Sequence, residues 1–139
     1  MRWLRYMAIA VITVLIAWFI VLRGIPAWQA RPIRPTMDAY LRAAGTQDSM
    51  ALERISISSS PVHWALTVQR QVPAFIAGAR SAHPEWVSRR QDTIVVSFRL
   101  SRAVPDPVCP YRALDNIQAR FIERADGTWR IIRAAVPAC

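Results

Sequence analysis

The chain has 139 residues, of which 53% are hydrophobic, and a formal net charge of +9. That length allows one domain with an appended segment, and four scattered glycines exclude a glycine-rich phosphate loop. All eighteen cations are arginine, dispersed along the chain with no arginine-rich helix, which argues for a solvated basic surface rather than a nucleic-acid-binding one.

The first element is apolar. From Tyr6 to Leu22 the run "YMAIAVITVLIAWFIVL" carries no charge. As a helix it covers about 26 Å of a hydrocarbon layer of about 30 Å, and Arg5 and Arg23 make up the difference by snorkelling. Trp3, Tyr6 and Trp28 are placed as interfacial anchors, and Trp18, late in the span, faces lipid or another transmembrane helix. A buried core helix would carry a polar stripe, which this run lacks. A signal peptide would have a shorter apolar region and then a small-x-small cleavage site, whereas Trp28 blocks that pattern before Ala30. An uncleaved anchor is therefore expected. Arg2 and Arg5 precede it and Arg23, Arg31 and Arg34 follow it, so charge counting does not choose an orientation.

Pro26, Pro32 and Pro35 predict an extended, proline-rich stalk over residues 24–35. Two short helices follow. Thr36 is placed to cap the first, which Gly45 ends; Asp48 is placed to cap the second. "ISIS" at Ile55 and Ile57 alternates as a short edge strand. Pro61 opens a longer helix with an apolar stripe from Trp64 to Ala79, and Pro73 should kink or break it near Val72. Three long strands then close the chain. Ile94, Val96, Phe98 and Leu100 share one face, and "AVPDPVCP" reads as a loop. Ile117, Ala119 and Phe121 share a face of the next strand. Asp126-Gly127 predicts a two-residue turn into "TWRIIRAAV", which has Trp129 and Ile131 on one face and Ile132, Ala134 and Val136 on the other.

Cys109 and Cys139 are the only cysteines. With Asp126-Gly127 as the turn, Cys139 falls opposite Leu114, and a fold-back brings Cys109 towards the separation that a disulfide needs. A disulfide is the expectation, and it would place the domain outside the cytoplasm. Spacing disfavours a metal pair.

"PTMDAYLRAAGTQDSMALERI" and "ADGTWRIIRAAV" carry a resemblance to the cone-shaped superfamily named after nuclear transport factor two, over about residues 36–136. The first stretch resembles that family's opening pair of helices, and the second its closing strand, entered through a Gly-x-Trp turn. The resemblance implies an α+β fold in which helices pack on a curved antiparallel sheet, with a pocket at the open end of the cone. It also implies that the chain is either an enzyme or one of the family's many binding domains, some of them single-pass proteins with a periplasmic cone.

Enzymes of that superfamily use an Asp or His base with Tyr or His partners. The corresponding residue types here are Tyr40, His63, His83, Asp92 and Tyr111, of which Tyr40, His63 and Asp92 are the pocket candidates. Cap and turn duties account for most of them, and no paired-carboxylate or His/Asp constellation remains. Trp86, Arg89 and Arg90 in "HPEWVSRR" are the candidates for an exposed interface.

The organisation expected is a cytoplasmic stub (1–5), a transmembrane helix (6–23), the stalk (24–35) and an extracytoplasmic α+β domain (36–139). Its expected role is a non-catalytic accessory or assembly subunit of a bacterial inner-membrane complex, with the bilayer and other membrane proteins as partners, and no cofactor, metal or nucleic acid. The alternatives are a membrane-tethered small-molecule binder or enzyme using the cone pocket, and an arginine-mediated binder of anionic lipid or nucleic acid.

Overall fold

The structure, a computed structural model, describes residues 2–137. An apolar helix, α1 (Arg2–Phe19), runs through a π-helical turn (Ile20–Gly24) into α2 (Ile25–Gln29). It is long and apolar enough to cross a membrane, and its most apolar window has no residue buried within the protein.

The extended stalk expected over residues 24–35 is instead helical. Each proline occupies the first turn of a new segment: Pro26 in α2, Pro32 in a 3₁₀ turn (Arg31–Ile33) and Pro35 in α3 (Arg34–Gly45). A first-turn residue has no intrahelical amide bond to lose, so proline fits there without breaking the path. The π turn helps at Pro26, because Ile25 donates its amide to Ile20, five residues back. Ala30 and Ile33 are buried in the core, so this segment is part of the domain.

The helical layer continues with α4 (Ser49–Ile55), α5 (Ser59–Gln71) and α6 (Pro73–Ala79). Asp48 caps α4 as expected, its carboxylate accepting the Ala51 amide at 3.0 Å. Thr36 does not cap α3, which begins two residues earlier; its hydroxyl reaches the Trp129 carbonyl at 3.4 Å. The expected break falls at Val72, between α5 and α6.

The sheet has four antiparallel strands in the order β1 (His83–Arg90), β2 (Thr93–Pro105), β3 (Ala113–Glu123), β4 (Trp129–Ala135). It is open, with β1 and β4 at its edges. Ser56 makes a single parallel bridge to Ile131 on β4, where a short edge strand was expected. The helices pack on one face, against Ile94, Val96, Phe98, Ile117, Phe121 and Ile131.

Three corrections concern the strands. β1 is a fourth strand, at the sheet edge, beyond the three long strands expected. β2 runs on to Pro105, with Val104 pairing to Leu114, so the loop begins only after Pro105. At the β3–β4 turn, Glu123 pairs with Trp129, and Arg124 donates its amide to the Thr128 carbonyl at 2.8 Å, leaving three loop residues rather than two. Gly127 takes the left-handed position at φ +77°. A bulge between Arg120 and Phe121 then restores the expected register, with Ala119 opposite Ala134. The extra residue on β4 lets Ile131 and Ala134, three apart, both face the core.

The expected Cys109–Cys139 disulfide falls on Cys139, which lies outside the described residues; Cys109 itself is not a free cysteine. Arg112 ties the loop after β2 to Pro137. Its guanidinium grips Asp106 through Nε at 3.2 Å and Nη2 at 2.6 Å, while Nη1 donates to the Pro137 carbonyl. Asp106 also accepts the amides of Val108 and Cys109, at 2.8 and 3.1 Å.

Candidate functional site

The space between the helices and the sheet is filled. Tyr40, Phe75, Phe98 and Phe121 are among the fully buried side chains. The structure does not bring the pocket candidates together. Tyr40, 0% exposed, donates its hydroxyl to the Pro61 carbonyl at 2.6 Å, and burial pushes its pKa up, which keeps it a neutral donor. His63 is exposed on α5. Asp92 is exposed in the β1–β2 turn, where its carboxylate accepts the Thr93 hydroxyl at 3.2 Å and its carbonyl accepts the Glu123 amide at 2.7 Å. Tyr111 is fully exposed in the loop after β2. A cavity of about 280 Å³ is lined by Val68, Val72, Val108 and Leu114 beside the Asp106–Arg112 pair. That carboxylate already accepts two amides and two guanidinium nitrogens, and Arg112 holds its pKa below the usual carboxylate range. It is a loop anchor, not a poised base.

The larger spaces lie where the anchor meets the sheet. One of about 740 Å³ is lined by Trp28, Gln29, Arg31, Pro32, Pro35 and Arg89. Trp28 is 72% exposed, and Arg31 forms no ion pair among the described residues. Arg89 stacks 5.7 Å from the Trp129 ring and pairs with Glu123 at 3.6 Å, so it is structural as well as exposed. A second space, about 720 Å³, has walls of opposite character: Leu15, Trp18, Phe19 and Leu22 from the anchor, and His83, Glu85 and Arg99 from the sheet. Glu85 and Arg99 pair at 2.7 Å. The His83 imidazole is held below its ordinary pKa by partial burial and then by the Arg23 charge. Trp3 and Tyr6, in the first turns of α1, are exposed like the rest of the helix.

Of the interface candidates, Trp86 is 55% exposed on β1 and Arg90 is exposed at its end. Alternation places these two on the sheet face away from the helices and Arg89 on the helical side. Among the described residues, no group of His, Cys, Asp and Glu is arranged to hold a metal ion.

No protein-family model matches the chain, and no curated protein matches it. A solved structure titled Rd1NTF2_05, carrying five substitutions, is similar to it with a TM-score of 0.47 and 14% identity, over 78% of this chain and 96% of that one. The likeness is weak and partial, and it assigns no family. What stands on the structure itself is an apolar N-terminal helix followed by helices packed on an open antiparallel sheet.

Proposed function

We propose that the chain is a non-catalytic accessory or assembly subunit of a bacterial membrane complex, held by α1–α2 with its α+β domain on the periplasmic side. The observation that carries this reading is the apolar helix, exposed along its whole length and joined to a domain whose interior is filled. A bilayer offsets the cost of that exposed apolar surface, and an anchored domain meets membrane partners at a raised local concentration. Arg2 and Arg5 precede the span and Arg23, Arg31 and Arg34 follow it, so the charge count favours neither side and the periplasmic placement is the part of the proposal that the protease test below decides.

Purification of the full chain from its native membrane in mild detergent, with mass spectrometry of what stays bound, tests the subunit role. A stoichiometric membrane partner is expected; recovery of the chain alone, from a preparation in which other complexes survive, refutes it. Protease added to spheroplasts should digest the domain, and protection would reverse the orientation. A second reading, a membrane-tethered binder of small amphiphiles, draws on the junction cavity at Trp28 and Arg31. It predicts a small molecule retained through purification and lost on Trp28→Ala.

A further inference from the structure

The arginines, dispersed in sequence, are gathered by the sheet. Ile94 stands opposite Phe121, and Phe121 opposite Ile131, in one buried row on the helical face. Their sequence neighbours therefore point to the opposite, open face, in two rows. Arg90, Thr93, Ile122 and Arg130 form one row across all four strands; Ser88, Val95, Arg120 and Arg133 form the next. The side chains of Arg90, Arg120, Arg130 and Arg133 make no ion pair or hydrogen bond among the described residues. Arg120 and Arg133 stand directly opposite one another on adjacent strands, an arrangement that destabilises a sheet. Asp92 lines a cavity of about 450 Å³ with Arg90 and Arg120, but its carboxylate accepts the Thr93 hydroxyl and forms an ion pair with neither arginine. Trp86, exposed in the row beyond, supplies a large apolar contact on the same face.

We infer that this open sheet face is a docking surface for an acidic segment of a partner protein, its carboxylates seated between Arg120, Arg133 and the flanking Arg90 and Arg130. Arginine forks hold carboxylates in bidentate pairs, and an acidic partner removes the repulsion that the isolated sheet carries. Single-stranded nucleic acid fits less well, because the centre of the face has Val95 and Ile122 where stacking readers place aromatic rings. The inference names the partner chemistry for the subunit role proposed above and rests on it.

The test uses the full chain in nanodiscs of neutral phosphatidylcholine, with a fluorescent deca-glutamate peptide followed by anisotropy. Arg120→Gln with Arg133→Gln should weaken binding at least about tenfold, a factor equivalent to about 1.4 kcal/mol. The control pair Arg54→Gln with Arg80→Gln, an equal change of charge on exposed helical-layer residues, should change it less than about twofold. Arg120→Gln alone should also raise the thermal midpoint, a gain that a merely structural arginine would not give. The inference is overturned if both pairs weaken binding equally, if the wild-type chain binds no peptide, or if Arg120→Gln lowers the midpoint. It is overturned equally if deca-uridylate displaces the peptide more strongly than unlabelled deca-glutamate, or if phosphatidylglycerol nanodiscs occupy the face and abolish binding. A partner that co-purifies with wild type and with the Arg120/Arg133 variant alike removes this face and leaves the subunit role standing. No partner with wild type removes both.

Discussion

Replacing Tyr40 by Phe separates a structural tyrosine from a catalytic one. The Tyr40 hydroxyl is buried and makes one hydrogen bond, to the carbonyl of Pro61 in the first turn of α5. As a helix residue, Pro61 also directs that carbonyl at the amide four residues on, so removing the tyrosine donor does not orphan it. The full cost of an unsatisfied buried acceptor is therefore avoided, leaving the net value of one intramolecular hydrogen bond, about 1 kcal/mol. The ring stays in place, so no cavity opens. For a domain of this size, a loss of that magnitude lowers the thermal midpoint by about 4–8 °C. Tyr40→Ala removes the ring as well and should cost about 3–5 kcal/mol.

The assay is thermal unfolding of the full chain in dodecyl maltoside, followed by near-ultraviolet circular dichroism, which reports aromatic packing in the domain rather than helix content of the anchor. A Tyr40→Phe midpoint indistinguishable from wild type would refute the structural assignment. A midpoint as low as that of Tyr40→Ala would show that the hydroxyl holds α3 to α5 far more strongly than one hydrogen bond can.

Three further outcomes are expected. Arg112, first, and then the Val108 amide depress the pKa of Asp106, so its contribution to stability is present above the unfolded carboxylate's pKa, near 4, and is lost as pH falls through the lower folded value. The midpoint of wild type should accordingly fall more steeply below about pH 4 than that of Asp106→Asn, and parallel curves would refute the role of the Arg112 pair. Asp48→Ala removes the cap of α4 and should cost about 1 kcal/mol, measured by urea unfolding; a loss below a few tenths would show that water replaces the cap. Val14→Arg places a cation near the middle of the span, at a cost of about 2.5–3.5 kcal/mol, and should release the chain into the supernatant of an alkaline carbonate wash that leaves wild type in the pellet.

The readable parts of this fold were those governed by one strong local rule. Ile94, Val96, Phe98 and Leu100 alternate because β2 buries one face against the helices, and the break at Val72 follows from the missing amide of Pro73. Other elements depended on context. "HPEWVSRR" lacks the alternation of a core strand because β1 lies at an edge and its open face carries tryptophan, serine and arginine. The three prolines near the anchor signal an extended chain in isolation, but each also fits a helix's first turn, and burial of Ala30 and Ile33 selects that option. The candidate residues Tyr40, His63 and Asp92 were chosen by type; only tertiary packing reveals that one is sealed in the core while the other two face solvent on different elements.

The open-face arginines show why register matters more than composition for this chain. Arg90, Arg120, Arg130 and Arg133 are separated by up to 43 positions and show no spacing that a motif would betray. The β4 bulge decides their geometry. Without it, the residue opposite Arg120 would be Ile132, and Arg133 would turn towards the core. The extra residue instead keeps Ile131 and Ala134 buried while sending Arg133 outward beside Arg120. A bulge that served the core alone could as well have presented a neutral residue there. That it juxtaposes two unpaired cations makes the open face repulsive in isolation, and the acidic partner inferred above would offset that repulsion.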